Sequence, residues 1–277
     1  MTEFVTSADG TRIAYERDGE GSPVVVIGGI FCDRQRTADL AGHLAEWFSV
    51  INYDRRGRGE SGDTRPYAVA REIDDLAALI DAAGGSAMVY GHSSGAGLAL
   101  HAAAAGLPIT RLVLHEPPYG PDDAGSRSSA RALAERVRAA IEADREGDAI
   151  AHFFDALGLD RDIVAALRAN PAMLAVARTM PYDFEVMGDF TGGIVPEDLV
   201  RAVRMPTLVL AGGASPDFFR RTAERIVRLL PDGAEALLED HDHDAPGEVV
   251  APVVARFFAA ADGVRTSGDP SVGALTG

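Results

Sequence analysis

The sequence predicts an α/β fold, in which helices wrap a mostly parallel sheet and a helical segment is inserted. Short apolar runs alternate with helical patterns along most of the 277 residues, as in parallel strands joined by crossover helices. Around Ser93 a strand, a glycine-containing turn and a helix follow one another. Between about residues 119 and 204 the alternation stops, and only helical patterns remain.

Composition restricts the possible partners and location. The formal net charge of −16 argues against nucleic acids and anionic membranes as partners. No apolar run reaches the roughly 20 residues of a membrane span, and the start at Met1 lacks the features of a signal peptide. Cys32 is the single cysteine, so no internal disulfide is possible and a reducing compartment fits. We therefore expect a cytoplasmic protein.

The individual elements follow from local patterns. A turn signal at Asp9-Gly10 separates two strands of an antiparallel entry pair. The β-branched run Val24–Ile27 is typical of a strand buried on both faces. Further strands are predicted at 48–53, 87–90, 109–115, 206–211 and 234–238, and further helices at 37–47, 67–83, 96–105, 218–230 and 248–261.

The segment around Ser93 carries the strongest chemical signal. Gly91, Ser93 and Gly95 form a G-x-S-x-G motif between a predicted strand and an alanine-rich helix. Small flanking residues permit a sharp turn, which holds the serine in a strained conformation with its hydroxyl exposed. The positive end of the following helix then faces any developing oxyanion. The alternative interpretation is a glycine- and serine-rich turn without chemistry.

In this context the chain resembles the α/β-hydrolase fold family over about residues 1–261. The resemblance implies an eight-stranded sheet and a serine nucleophile at Ser93. The segment Asp54–Ser61 resembles the D-x-R-G-x-G-x-S turn of the same family, to which we assign a structural role.

The family also suggests an oxyanion hole built from two backbone N–H groups. One donor is the residue after the nucleophile, which is Ser94 here. The other lies in a His-Gly-x segment after an early strand, where this chain has Gly28-Gly29-Ile30. Ile30 matches x, although the choice between Ile30 and Phe31 stays open. A plain exit from the strand is the alternative interpretation.

A serine nucleophile needs a histidine base. In the resembled family the histidine lies between the last strand and the last helix, where this chain has His241 and His243. The family spacing favours His243. The neighbouring aspartates also permit a metal-site interpretation, which we disfavour because no further ligand group is evident. We expect neither a metal nor a cofactor.

The position of the acid departs from the family pattern. Its usual place, shortly after the strand at 206–211, is taken by Ser215. Two carboxylates are alternatives, Glu116 and Asp217. We favour Glu116, because it follows the strand next to the elbow helix, at the sheet edge where active-site groups gather. Asp217 stands at a helix start, where aspartate often serves only the helix. A purely structural carboxylate is the alternative for Glu116.

The helical patterns between the core strands resemble the cap of many family members. We predict a core of residues 1–118 and 205–261, a helical cap at 119–204 and a mobile tail at 262–277. Cap helices are expected at 130–143, 149–157, 161–169 and 172–180. The candidates for the pocket lining are Phe31, Phe154, Met180, Tyr182 and Met187. For those in the cap, packing within the cap's own core is the alternative.

We therefore predict a serine hydrolase that cleaves an ester or related acyl compound of modest size through an acyl-serine intermediate. Its partner would be a small-molecule substrate. One alternative is a non-hydrolytic catalyst, such as a lyase, perhydrolase or cyclase. The other is a small-molecule-binding protein with a vestigial triad, which the serine at position 215 keeps open. The sequence does not predict the oligomeric state.

Overall fold

The computed structural model describes residues 1–260, and these residues form a sheet of eight strands flanked by helices. The predicted tail at 262–277 lies outside them. In chain order the strands are β1 (Glu3–Thr6), β2 (Arg12–Asp18), β3 (Pro23–Ile27), β4 (Ser49–Tyr53), β5 (Ala87–His92), β6 (Ile109–His115), β7 (Thr207–Gly212) and β8 (Gly233–Leu238).

Helices connect most of these strands. They are α1 (Ala38–Leu44), α2 (Val69–Ala82), α3 (Ser94–Ala104), α4 (Ala124–Glu142), α5 (Glu146–Ala156), α6 (Arg161–Leu167), α7 (Pro171–Ala177), α8 (Met180–Met187), α9 (Glu197–Ala202), α10 (Asp217–Leu229) and α11 (Gly247–Ala259). A short 3₁₀ helix spans Asp189–Thr191 between α8 and α9.

The sheet has the strand order β1-β2-β4-β3-β5-β6-β7-β8. Strand β2 is antiparallel to both of its neighbours, and the remaining neighbours pair in parallel. The predicted α/β class and the mostly parallel eight-stranded sheet are therefore confirmed. The carboxyl ends of β3, β5, β6 and β7 lie side by side, which brings the loops after them together.

The central strands form because their side chains are buried on both faces of the sheet. Residues Val24 to Ile27 of β3 are fully buried, as the continuous apolar run predicts. One face packs against α2, α3 and α10, while the other packs against α1 and α11. The active-site edge is thus supported by apolar layers on both sides.

Helices α4 to α9 interrupt the alternation between β6 and β7. Helices α4, α5, α7 and α8 share an apolar cluster of their own. The helix predicted at 172–180 is α7, which ends earlier, at Ala177; a further helix that the sequence did not predict, α8, begins at Met180 with Pro181 in its first turn. Proline suits that position, since the first turn of a helix has no intrahelical partner for its N–H groups. Gly188, in the left-handed conformation, ends α8.

Glycines permit the sharp junction between β5 and α3. A Cβ atom on Gly91 would overlap the Gly95 carbonyl oxygen and lie 2.7 Å from Ala96 Cα. A Cβ atom on Gly95 would overlap the Ile27 carbonyl oxygen and lie 2.7 Å from that of Gly28. Backbone meets backbone here, so no larger residue fits without moving a strand.

We expect Gly91→Ala to lower the free energy of unfolding by about 1–3 kcal/mol or more, as overpacking against backbone does. The control is Gly42→Ala in α1, where an added Cβ meets nothing within 4 Å. That change should stabilise the protein by up to about 1 kcal/mol through helix propensity. Urea unfolding of both variants measures the effect, and equal stabilities would contradict it.

Candidate active site

Ser93 lies between the last residue of β5 and the first residue of α3, in a strained backbone conformation. Its φ of 56° and ψ of −127° are rare for a residue with a side chain, and such strain costs about 1–3 kcal/mol. The Ser93 N–H donates to the His115 carbonyl oxygen at 2.9 Å, which ties the turn to β6. The predicted sharp turn places Ser93 at the carboxyl edge of the sheet.

The loop after β3 lies against Ser93. A Cβ atom on Gly29 would be 2.8 Å from Ser93 Cβ and 3.3 Å from Ser93 Oγ. The following residues, Ile30 and Phe31, therefore stand beside the serine, and Phe31 has a positive φ of 61°. Within residues 1–260, neither the Ile30 nor the Phe31 N–H donates a hydrogen bond to the protein.

His243 and Glu116 form a short hydrogen bond. His243 Nδ1 lies 2.7 Å from Glu116 Oε2, and the Glu116 side chain is fully buried. The Gly212 N–H donates to the other carboxylate oxygen at 2.7 Å. Burial opposes the charge, but the hydrogen bonds from His243 and Gly212 outweigh it and lower the pKa of Glu116. The carboxylate is therefore ionised at neutral pH.

The imidazole of His243 is packed between two rings. Phe219 of α10 stacks on it at 4.9 Å between centroids, and His92 lies at 4.5 Å on a tilted plane. His92 Nε2 also lies 2.9 Å from the His243 carbonyl oxygen. Because His92 precedes Ser93, this hydrogen bond ties the histidine loop to the elbow. The sequence indicated only a packing role for His92.

The other candidates for base and acid have different surroundings. The backbone of His241 joins Leu238 and Ala214 by hydrogen bonds. The Asp217 side chain is largely exposed and pairs with Arg221 at 3.2 Å in the first turn of α10. Ser215, at the family's usual acid position, has a buried hydroxyl oxygen that lies outside hydrogen-bonding geometry with residues 1–260. Its influence on the pKa of the nearby Glu116 is therefore that of a neighbouring dipole.

The predicted pocket residues divide into two groups. Phe31 stacks on Phe154 at 5.5 Å between ring centroids, so the loop beside Ser93 contacts α5. Met180, Tyr182 and Met187 are buried on α8. Of these three, Tyr182 stacks its ring on Tyr67 and donates its hydroxyl to Asp63. Met187 packs against Gly97 in the first turns of α3.

The structure also contains a buried ionic cluster that the sequence did not indicate. Asp183 of α8 is 3% exposed and accepts hydrogen bonds from Arg55, Arg58 and Ser94. Arg55 also forms two hydrogen bonds with Glu72. The available signal was an aspartate within the apolar stretch of α8.

Two wider features of the described chain bear on ligands. Within residues 1–260, histidine, cysteine, aspartate and glutamate side chains form no group of three arranged to hold a metal ion. In the same part of the chain, no helix combines the length and apolar character needed to span a membrane.

A pH-dependent stability follows from His92. Burial, with a smaller effect of His243, lowers the pKa of His92 to about 3. Between the unfolded value of about 6.5 and 3, the unfolded chain binds a proton that the folded chain excludes. The stability linked to His92 should therefore fall as the pH falls through this window. His92→Gln keeps an amide donor for the His243 carbonyl and removes this titration.

Urea unfolding of the wild type and His92→Gln between pH 7 and 4 measures this linkage. As the pH falls, the free energy of unfolding of the wild type should decrease relative to that of His92→Gln. A difference that stays constant over this range would contradict the neutral state of His92 in the folded protein.

Comparisons with known proteins identify the family to which this architecture belongs. The model of the Alpha/beta hydrolase family matches residues 24–255. N-formylmaleamate deformylase of Pseudomonas putida is 30% identical over 267 residues, which cover 93% of this chain and 97% of that protein. An alpha/beta hydrolase of Sphaerobacter thermophilus has a crystal structure with 47% identity and a TM-score of 0.83, covering 92% of this chain and all of that one.

A thermophilic esterase from Thermogutta terrifontis shares the fold at 24% identity, with a TM-score of 0.69 over 93% of this chain and 98% of that one. The family model spans most of the sequence and includes the elbow, Glu116 and His243. From the sheet, the strained serine and these matches, we conclude that this chain belongs to the alpha/beta hydrolase family.

Proposed function

We propose that the protein is a serine hydrolase that cleaves an ester or related acyl compound of modest size through an acyl-serine intermediate. The hydrogen bond of 2.7 Å between His243 and the buried Glu116 carries the proposal. It supplies an oriented base beside the elbow that presents Ser93. Nucleophile, base and orienting carboxylate are the elements of a serine-hydrolase triad.

The first half-reaction uses Ser93 Oγ as the nucleophile. His243 Nε2 takes the hydroxyl proton while Oγ forms a bond to the substrate carbonyl carbon. The other ring nitrogen donates to Glu116, whose negative charge stabilises the imidazolium formed at this step. The imidazolium then gives its proton to the leaving group, and the acyl group stays on Ser93.

Backbone N–H groups stabilise the negative charge on the carbonyl oxygen. One donor is Ser94 at the start of α3, where the helix dipole adds to the effect. The second is Ile30, or its neighbour Phe31, in the loop against Ser93. Water activated by His243 then attacks the acyl-enzyme, and the carboxylic acid leaves as Ser93 regains its proton.

We further propose that residues 119–204 act as a cap over this site, with 1–118 and 205–260 as the described part of the core. The contact between Phe31 and Phe154 supports this arrangement, because it joins α5 to the loop beside Ser93. An apolar wall of this kind suits a small acyl group and limits the access of water.

The relatives support a broad acyl substrate class. The name of the Pseudomonas putida relative, N-formylmaleamate deformylase, describes removal of a formyl group from nitrogen. We therefore include N-acyl compounds beside esters among the substrates to be tested.

The position of Glu116 removes the reason for one alternative function, that of a binding protein. The binding-protein hypothesis rested on the serine at position 215, which cannot orient a histidine by charge. The Glu116 carboxylate at the histidine ring favours a working triad over a vestigial one. A lyase, perhydrolase or cyclase would use the same site, and a trapped acyl-Ser93 adduct distinguishes hydrolysis from cyclisation.

We expect a fluorophosphonate to label Ser93 alone, because this is the serine with an oriented base. Mass spectrometry of the labelled, digested protein identifies the site. Ser93→Ala should abolish labelling while its thermal unfolding stays close to that of the wild type. Labelling at another residue, or none in the folded protein, would contradict the nucleophile assignment.

Glu116→Gln should lower kcat for a short p-nitrophenyl ester by about 10³–10⁴-fold, because the histidine loses its orienting charge. Asp217→Asn is the matched control at the exposed carboxylate, and its kcat should stay within a few-fold of the wild type. Steady-state kinetics of both variants measure the difference. An inactive Asp217→Asn beside an active Glu116→Gln would reverse the assignment of the acid.

A further inference from the structure

We propose that Asp183, on helix α8, is a positioning residue for the oxyanion hole. Through its hydrogen bonds to Arg58 and Ser94, it fixes the two backbone N–H donors of the hole relative to each other. The inference rests on the proposed hydrolase function, since it concerns how that site stabilises its transition state. Asp183 itself does not touch the reacting atoms.

The carboxylate of Asp183 uses both oxygens. Oδ1 accepts from the Ser94 hydroxyl at 2.7 Å and from Arg55 at 2.6 Å, while Oδ2 accepts from Arg58 at 2.5 Å. The side chains of Asp183 and both arginines are almost completely buried. Charge-assisted hydrogen bonds in such surroundings are short and directional, so one carboxylate fixes three donors.

Arg58 carries this constraint to the loop beside Ser93. One terminal nitrogen donates to the Gly29 carbonyl oxygen at 2.6 Å and to the Cys32 carbonyl oxygen at 3.1 Å. These two carbonyls flank Ile30 and Phe31 in the chain. The guanidinium is rigid and planar, so its orientation determines where the loop lies.

The bond to Gly29 also determines the direction of an N–H group. The Gly29 carbonyl and the Ile30 N–H belong to one peptide unit, which is planar and trans. In such a unit the carbonyl and the N–H point in opposite directions. With the Gly29 carbonyl bound to Arg58, the Ile30 N–H points away from that guanidinium and has no protein partner within residues 1–260. The constraint from Arg58 thus acts directly on the peptide unit that contains the Ile30 N–H, which makes Ile30 the donor that Asp183 positions in this proposal.

The other donor is tied to the same carboxylate. Ser94 contributes its backbone N–H to the oxyanion hole and its hydroxyl to Asp183. The two segments that supply the hole come from β3 and from the start of α3. Asp183 is linked to the first segment through Arg58 and to the second through the Ser94 hydroxyl. It therefore sets the distance between the two N–H groups.

The charge of the cluster distinguishes a positioning role from a purely electrostatic one, because the two roles predict opposite changes in oxyanion binding. Arg55 and Arg58 are balanced by Asp183 and Glu72. Asp183→Asn leaves an extra positive charge close to the oxyanion. A purely electrostatic role for the cluster would make this variant bind the oxyanion more tightly. Loss of position would make it bind more weakly.

The experiment compares Asp183→Asn with Asp75→Asn as a matched control. Asp75 is also buried and accepts two hydrogen bonds from a buried arginine, Arg56, at 2.7 and 2.8 Å. Those bonds do not reach Gly29, Cys32 or Ser94. Both variants lose a buried ionic partner, so both should lose stability, but only one disturbs the oxyanion hole.

Two readouts are measured on the folded variants. One is the kcat and KM for a short p-nitrophenyl ester. The other is the affinity for a trifluoromethyl ketone, whose adduct with Ser93 carries an oxyanion. Asp183→Asn should lower kcat about 10²-fold or more, as loss of an oxyanion donor does, with KM changed only a few-fold. The ketone affinity should fall by a similar factor. Asp75→Asn should keep both quantities within a few-fold of the wild type.

If Asp183→Asn does not fold, Ser94→Ala tests the same link, because it removes the hydroxyl tether and keeps the backbone N–H. It should lower kcat and ketone affinity together, by about 10-fold for one lost hydrogen bond of about 1.5 kcal/mol.

The outcomes separate the two proposals. An unchanged or tighter ketone complex in Asp183→Asn, or in Ser94→Ala where the former does not fold, overturns the positioning role. Losses in kcat and ketone affinity equal to those of Asp75→Asn also overturn the positioning role. A wild-type protein that binds no ketone and hydrolyses none of the esters or N-acyl compounds overturns the proposed function itself.

Discussion

The structure of the site depends on direct contacts between backbone segments at the turn from β5 to α3, where glycines leave no side chain between them. Gly95 lies against the carbonyl groups at the end of β3, and Gly29 lies against Ser93. No side chain separates these segments, so the serine and the loop behind it lie in direct contact. Glu116 is joined to these segments through the neighbouring strand β6, whose last residues hydrogen-bond to both β5 and β7. Ser93 and Glu116 therefore follow directly on strand ends, whereas Ile30 and His243 come from the loops after β3 and β8.

A large part of this arrangement could be predicted from local sequence. Buried parallel strands such as β3 appear as continuous apolar runs, and the glycines around Ser93 indicate a sharp turn because only glycine fits there. The order of strands and helices around the elbow then predicts the fold class. Glu116 was favoured as the acid because the carboxyl ends of adjacent parallel strands meet at one edge.

The remainder depends on contacts between distant segments. Asp183 meets Arg55 across 128 positions of the chain, and no local pattern predicts such a pairing. The end of α7 at Ala177 was placed too late because the apolar pattern continues to Met180, which is the first residue of α8. The choice between Ile30 and Phe31 depends on the orientation of a single peptide plane, which is set by a guanidinium from another loop. The hydrogen bond of His92 to the histidine loop is equally remote in sequence.

The position of the proposed acid has an evolutionary consequence. Glu116 at the end of β6 reaches the same imidazole that family members address from the loop after β7, and Ser215 in that loop lies beside the Glu116 carboxylate. The end of β7 thus lies beside the carboxylate that β6 supplies to the ring. A lineage can pass from one acid to the other through an ancestor that carries both, without losing the orienting charge at any step. In the proposed triad the charge at the histidine comes from β6, so position 215 can hold a serine without loss of that charge.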